Sequence, residues 1–176
     1  MRPCLPFSKF LLSSRRIFIF SSYLLAMNSI AAELNTIIDK HLASLELIQE
    51  ADLLFKPSPS KWSKKEIIGH MVDSAQSNIR RFIVAQYEKE PTINYNQDQW
   101  VKLSAYQQWD SSSLVSLWYL LNKQVCAILN NMSDESLQRK CMTGELHTLE
   151  WLAKDYVKHL LHHLHYVLEL EPVPYP

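Results

Sequence analysis

Four histidines, at positions 159, 162, 163 and 165, crowd the segment DYVKHLLHHLHYVLEL. An imidazole titrates near neutrality and serves as a proton carrier or a metal ligand, so the direction each ring faces decides its chemistry. Winding the segment as a helix at about 100° per residue places His159 and His163 roughly 40° apart, on an arc with Leu152, Asp155, Tyr156 and Leu170 read as buried. His162 and His165 fall among Lys154, Lys158 and Glu169 and are read as facing solvent. The remaining pair, spaced i, i+4, projects two imidazoles from adjacent turns toward one point, as helical zinc sites do. The same spacing also arises where two histidines simply hydrogen-bond at a bundle edge.

A third imidazole favours the metal. His70 lies in EIIGHMVDSAQSNIRRF, at the border of an apolar stripe formed by Ile67, Met71, Val72, Ala75, Ile79 and Phe82, beside Ser74, Ser77 and Arg81. If its helix neighbours that of His159 and His163, three neutral imidazoles can share one divalent ion, with Zn or Ni ahead of Fe. A fourth position left open makes such a site catalytic in type, because the ion draws the pKa of a water or thiol toward neutrality. No Glu stands next to a ligand histidine as in HExxH, so no catalytic base is assigned.

Other side chains carry two readings each. Asp155, one turn before His159, is placed to accept from a ligand ring, or is an ordinary surface carboxylate. Asp73 and Arg81 either line the mouth of a cleft or belong to a solvated helix face. The five tryptophans are packing residues first, with Trp100 and its loop neighbour Tyr95 the candidates to cover a metal. Cys126 faces the core and Cys141 lies in a loop without a nearby base, so neither reads as a nucleophile.

Four amphipathic helices must hold these groups. The first spans about Ser29 to Glu50, with Ile30, Leu34, Ile37, Ile38, His41, Leu42, Leu45, Leu47 and Ile48 on its inner face. KPSPSKW breaks it. Ser63 and Glu66 form a capping-box signature that starts the second helix, which continues to about Tyr87. PTINYNQDQWVKLSAYQQWD is polar, aromatic and long for a plain connection, the kind of loop that folds over something. The third helix runs from Ser112 to about Asn131, started by Asp110 or a neighbouring serine. After the polar stretch SDESLQRKCMTGELH, with Gly144 as a turn residue, Thr148 caps a fourth helix from Leu149 to about Leu170. With no convincing strand, the pattern is all-α, a four-helix bundle.

Composition agrees with one helical domain: 176 residues, 47% apolar, two Gly and eight Pro. The first 26 residues hold four of the 18 basic residues and none of the 18 acidic ones, so the remainder carries a net −4 and no nucleic-acid footprint. Three cysteines without CxxC or finger spacing suggest reduced thiols. Residues 1–26 are read as a non-domain extension preceding a true start at Met27, with the domain over 27–176 in the cytoplasm. A secretory signal ending near Ala31 is the competing reading, and the apolar run is too short for a membrane span.

The segments KWSKKEIIGHMVDSAQSNIRRFIVAQ, YNQDQWVKLSAYQQW and TLEWLAKDYVKHLLHHL together resemble the DinB/YfiT-like family, over nearly all of Ser29 to Leu170, with WSxxE-I-xGH as the most specific element. The resemblance implies an up-down-down-up bundle, often a homodimer, that holds a divalent metal through one histidine of the second helix and the HxxxH of the fourth. On this chain those are His70, His159 and His163. Relatives include proteins designated metal-dependent hydrolases, S-transferases using low-molecular-weight thiols such as bacillithiol, and a mycothiol-dependent isomerase; many have no established activity. Tyr166 stands where many of them carry Gln or a similar polar residue. The implied function is metal activation of a thiol or water for S-transfer or hydrolysis on a small electrophile, thiol transfer slightly preferred, with no membrane or nucleic-acid partner. The alternatives are a non-catalytic metal-binding stress or structural protein and a helical domain without metal.

Overall fold

The computed structural model describes residues 14–175, with side chains from Ser29 onward. The expected extension over 1–26 lies outside these described residues, except that the backbone is already helical from Ser14. The helix α1, Ser14–Glu46, buries Ile30, Leu34, Ile37, Ile38, His41 and Leu45 at the three- and four-residue spacing a core face requires. It ends four residues before the expected Glu50, and Leu47 is 76% exposed instead of inward. Gln49 adopts an extended backbone there and starts the short α2, Glu50–Leu54.

The capping box forms as expected. Ser63 Oγ accepts from the Glu66 amide at 3.2 Å, while Glu66 Oε2 accepts from the Ser63 amide at 2.8 Å, launching α3, Lys64–Val84. The segment expected to be a loop folding over something contains α4, Gln97–Ser104, capped by Asn96, and a 3-10 turn, Tyr106–Gln108. Eight residues give too little periodicity to betray a helix in sequence. Asp110 caps α5, Ser111–Asn130, accepting from the Ser113 amide at 2.7 Å.

A second correction concerns strands. After α6, Asp134–Leu137, the chain forms a hairpin of β1, Lys140–Met142, and β2, Leu146–Thr148, in the register Lys140↔Thr148, Cys141↔His147 and Met142↔Leu146. Gly144 takes φ 105° at the turn, a region open to glycine. Met142 also exchanges backbone bonds with Pro91 and Ile93, at 2.9 and 3.0 Å, which fixes where the segment toward α4 begins. Three-residue strands carry no readable alternation.

Thr148 caps α7, Leu149–Val167, accepting from the Trp151 amide at 3.2 Å. Glu169, at φ 56°, turns the chain back, so Leu170 leaves the helical period and is exposed rather than buried. The four long helices close into a bundle in which α5 and α7 each pack against both α1 and α3, leaving α1 and α3 at opposite corners. Its centre holds Trp118, Phe82, Leu34 and Tyr156, whose hydroxyl donates to Asn122 at 2.7 Å. Among the described residues no helix is long and apolar enough to cross a membrane.

Candidate metal centre

His70 sits in the second turn of α3, one helix over from His159 and His163 on α7. Across 89 residues of chain, His70 Nε2 stands 3.1 Å from His159 Nε2, and His163 Nε2 stands 3.0 Å from the same atom. One nitrogen from each ring lies within 4.8 Å of the others, the sole group of this kind among the described residues. The rings meet nearly edge to face, with interplanar angles of 79–81°. The three expected ligands therefore converge.

The donor set suits a divalent ion. Bonds of about 2.0–2.1 Å at tetrahedral angles separate ligand nitrogens by roughly 3.3 Å, close to the two short separations observed. Ligation also needs neutral imidazoles. Burial pulls His70 down to about 4 and His163 to about 3. His159 is pushed to about 2, by burial first and then by the neighbouring imidazoles of His163 and His70. All three are unprotonated at neutral pH, and two protonated rings at these separations would repel strongly.

The surroundings hold each ring differently. His70 is 1% exposed, its ring 5.0 Å from that of Trp62, and its Nδ1 is buried without a hydrogen-bond partner. His159 Nδ1 pairs with Ser74 Oγ at 3.4 Å, and the Tyr175 ring lies 5.1 Å away. Asp155 does not serve His159: both its oxygens accept the Tyr175 hydroxyl, at 3.1 and 3.0 Å. Ser74, four residues from His70 on the same face, carries a role that the sequence hinted at only through that spacing.

The second pair of histidines is not solvent-facing as expected. His162 and His165 are half-buried, and their Nδ1–H groups donate to the Val173 and Glu171 carbonyls at 2.7 and 2.6 Å. They tie the C-terminal tail down along α7. Asp73 is likewise not at a cleft mouth. It is buried and accepts the Tyr106 hydroxyl at 2.5 Å, with burial raising its carboxyl to about 6. Arg81 borders a small cavity behind His159, and Cys126 and Cys141 are buried thiols pushed up by burial.

A groove of about 630 Å³ reaches the centre from outside, lined by Trp62, Ile67, Gln97, Asp98, His163 and Tyr166. Gln97 and Asp98, at the start of α4, thus form an overhang beside His163, and Tyr95, just before them, lines the cavity beside His159. Trp100 packs on Tyr95 at 5.2 Å and is 37% exposed, so it supports this overhang instead of covering the metal.

Bundle and site together define a four-helix protein with a three-histidine candidate metal centre. The chain belongs to the DinB superfamily, whose model matches residues 33–167. It is 26% identical over 131 residues to YfiT of Bacillus subtilis, covering 72% of this chain and 74% of that one. It is 28% identical over 113 residues to OB0782 of Oceanobacillus iheyensis, covering 62% and 64%. Both relatives carry a provisional designation as metal-dependent hydrolases. The solved structure of YfiT, described as an unusual four-helix bundle, superposes with a TM-score of 0.66 over 93% of this chain and 90% of that one, at 21% identity. The up-down-down-up bundle expected from sequence is this topology.

Proposed function

We propose that the chain is a divalent-metal-dependent enzyme acting on a small electrophile, with zinc or nickel held by His70, His159 and His163. The convergence of three neutral imidazoles at the end of an open groove carries this reading. Such an ion supplies Lewis-acid activation of a water or a low-molecular-weight thiol, drawing its pKa toward neutrality. The chain's own part is positional. Ser74 holds the His159 ring in place, Trp62 packs against His70, and the groove between Trp62, Asp98 and Tyr166 admits the electrophile beside His163. Thiol transfer is preferred to hydrolysis on family resemblance. The two buried, unpaired cysteines fit the reducing cytoplasm in which such thiols act.

A second reading, a non-catalytic clamp, is favoured by one observation: the ligands join α3 to α7 across 89 residues of chain. Elemental analysis, melting with and without chelator, and a screen of bacillithiol-type thiols against electrophiles separate the two. Metal-dependent consumption of thiol and electrophile, or metal-dependent hydrolysis, supports the enzyme. A metal that raises only the melting temperature supports the clamp.

A further inference from the structure

The polar stripe of α3 continues past the histidines. From His70 it runs through Ser74, Asn78 and Arg81, at spacings of four, four and three residues that keep one helix face. Hydrogen bonds link its members. The Arg81 guanidinium donates to Asn78 Oδ1 at 3.3 Å, the Asn78 amide donates to the Ser74 carbonyl at 2.9 Å and hydroxyl at 3.5 Å, and Ser74 Oγ meets His159 Nδ1. This run borders a half-open cavity of about 130 Å³, lined on other sides by Tyr95, Asp155, His159 and Tyr175.

Arg81 makes no direct ion pair among the described residues. Its other bond, from Nε, goes to the Ile93 carbonyl at 3.1 Å, so both of its acceptors are neutral. No carboxylate among the described residues lies within 4 Å of it. Asp155 faces the same cavity but is engaged through both oxygens by Tyr175. A half-buried guanidinium whose hydrogen bonds go only to neutral acceptors, with the Asp155 charge acting on it only from across the cavity, is incompletely compensated, and its planar fork matches two carboxylate oxygens. At about 30 Å³ per water-sized volume, the cavity has room for roughly four heavy atoms, the size of a carboxylate with its attached carbon.

We propose that this cavity is a subsite for a carboxylate, received by Arg81 and placed behind His159, one hydrogen-bonded relay from the metal centre. The carboxylate belongs either to the substrate or thiol of that centre or to a free small anion. The first source rests on the enzyme reading above; binding itself is read without turnover, so the two fail separately.

The test is calorimetric titration of acetate, and of neutral acetamide, into the full-length metal-loaded protein and again after chelation. Acetate is expected to bind in both states, with acetamide about tenfold weaker or worse. Arg81→Met weakens acetate by about tenfold or more at unchanged metal content. Asp155→Asn, which removes a like charge from the cavity, tightens acetate by about twofold to fivefold. Equal binding of the two probes, acetate binding that survives Arg81→Met, or acetate binding that disappears with the metal overturns the subsite. If Arg81→Met does not fold, an unchanged acetate affinity in Asp155→Asn overturns it instead, and tightening upholds it. Titrating 3-mercaptopropionate beside 3-mercaptopropan-1-ol separates the sources: an Arg81-dependent advantage of the acid assigns the subsite to the thiol, and Arg81-dependent acetate binding without that advantage assigns it to a free anion.

Discussion

Gly69 lies against the ring of Tyr106 so closely that a Cβ at position 69 would stand 2.1 Å from Cδ2 of that ring. The contact explains the glycine of the WSxxE-I-xGH segment: it lets the buried tyrosine dock one residue before a candidate ligand and reach Asp73. Gly69→Ala is expected to destabilise by about 1–3 kcal/mol through overpacking, measured by denaturant unfolding, and to weaken metal retention by displacing His70. An alanine variant of wild-type stability would show that Tyr106 gives way freely.

Tyr106→Phe probes the same contact from its other end. It removes the hydrogen bond that favours the charged form of Asp73, leaving a buried carboxylate unpaired at a cost of about 1–3 kcal/mol. Because burial already raises this carboxyl to about 6 and loss of the hydroxyl raises it further, the loss is full above the variant's higher pKa, shrinks as pH falls from there toward 6 and is least below 6, where Asp73 is protonated in both proteins. Unfolding curves on either side of pH 6 check the difference; a pH-independent penalty argues against a charged Asp73.

The five histidines on and beside the site should separate cleanly. Single alanine replacements of His70, His159 and His163 are expected to lower metal affinity by more than the roughly 10–100-fold that loss of an outer partner costs. His162→Ala and His165→Ala should leave metal content intact while speeding amide exchange in the tail they hold. Equal losses across all five, by elemental analysis, would dismantle the site.

Acid should destabilise the metal-free protein. The three site histidines have folded pKa values of about 4, 2 and 3, below the ordinary 6.5, so the unfolded chain binds protons that the folded chain refuses. Their contribution is complete above pH 6.5 and is lost as pH falls toward those values. Asp73 acts in the opposite sense, as one group against three. The melting temperature should therefore fall progressively from about pH 7 to pH 4, and His159→Asn should flatten the decline. A flat profile in the parent protein would contradict burial of the rings as neutral species.

Ser74→Ala tests which residue backs His159. Losing the partner of Nδ1 is expected to cost about tenfold in metal affinity, by competition with a chromophoric chelator, and threonine should restore it. Asp155→Ala should leave that affinity near the parent value. The reverse result would return the role to Asp155, where helix spacing alone had placed it.

What was legible in sequence was local. Ser63 and Glu66, Asp110 and Thr148 announce three helix starts because a cap is a contact across three residues. His159 and His163 declare a shared direction because a helix repeats every 3.6 residues. The eight-residue α4 and the three-residue strands left too little period to detect, and Leu170 was misplaced because Glu169 reverses the chain just beyond the helix.

The sequence by itself determined four amphipathic helices, the shared direction of His159 and His163, and the place of His70 at the border of its helix's apolar stripe; each follows from dihedral repeats and side-chain spacing within one segment. Only the tertiary structure decided that α3 and α7 are neighbours, that Ser74 serves His159 while Asp155 serves Tyr175, that Tyr106 rests on Gly69, and that His162 and His165 hold the tail. Most of those contacts join residues far apart in the chain, and packing of the whole bundle selects among partners that local spacing leaves equivalent.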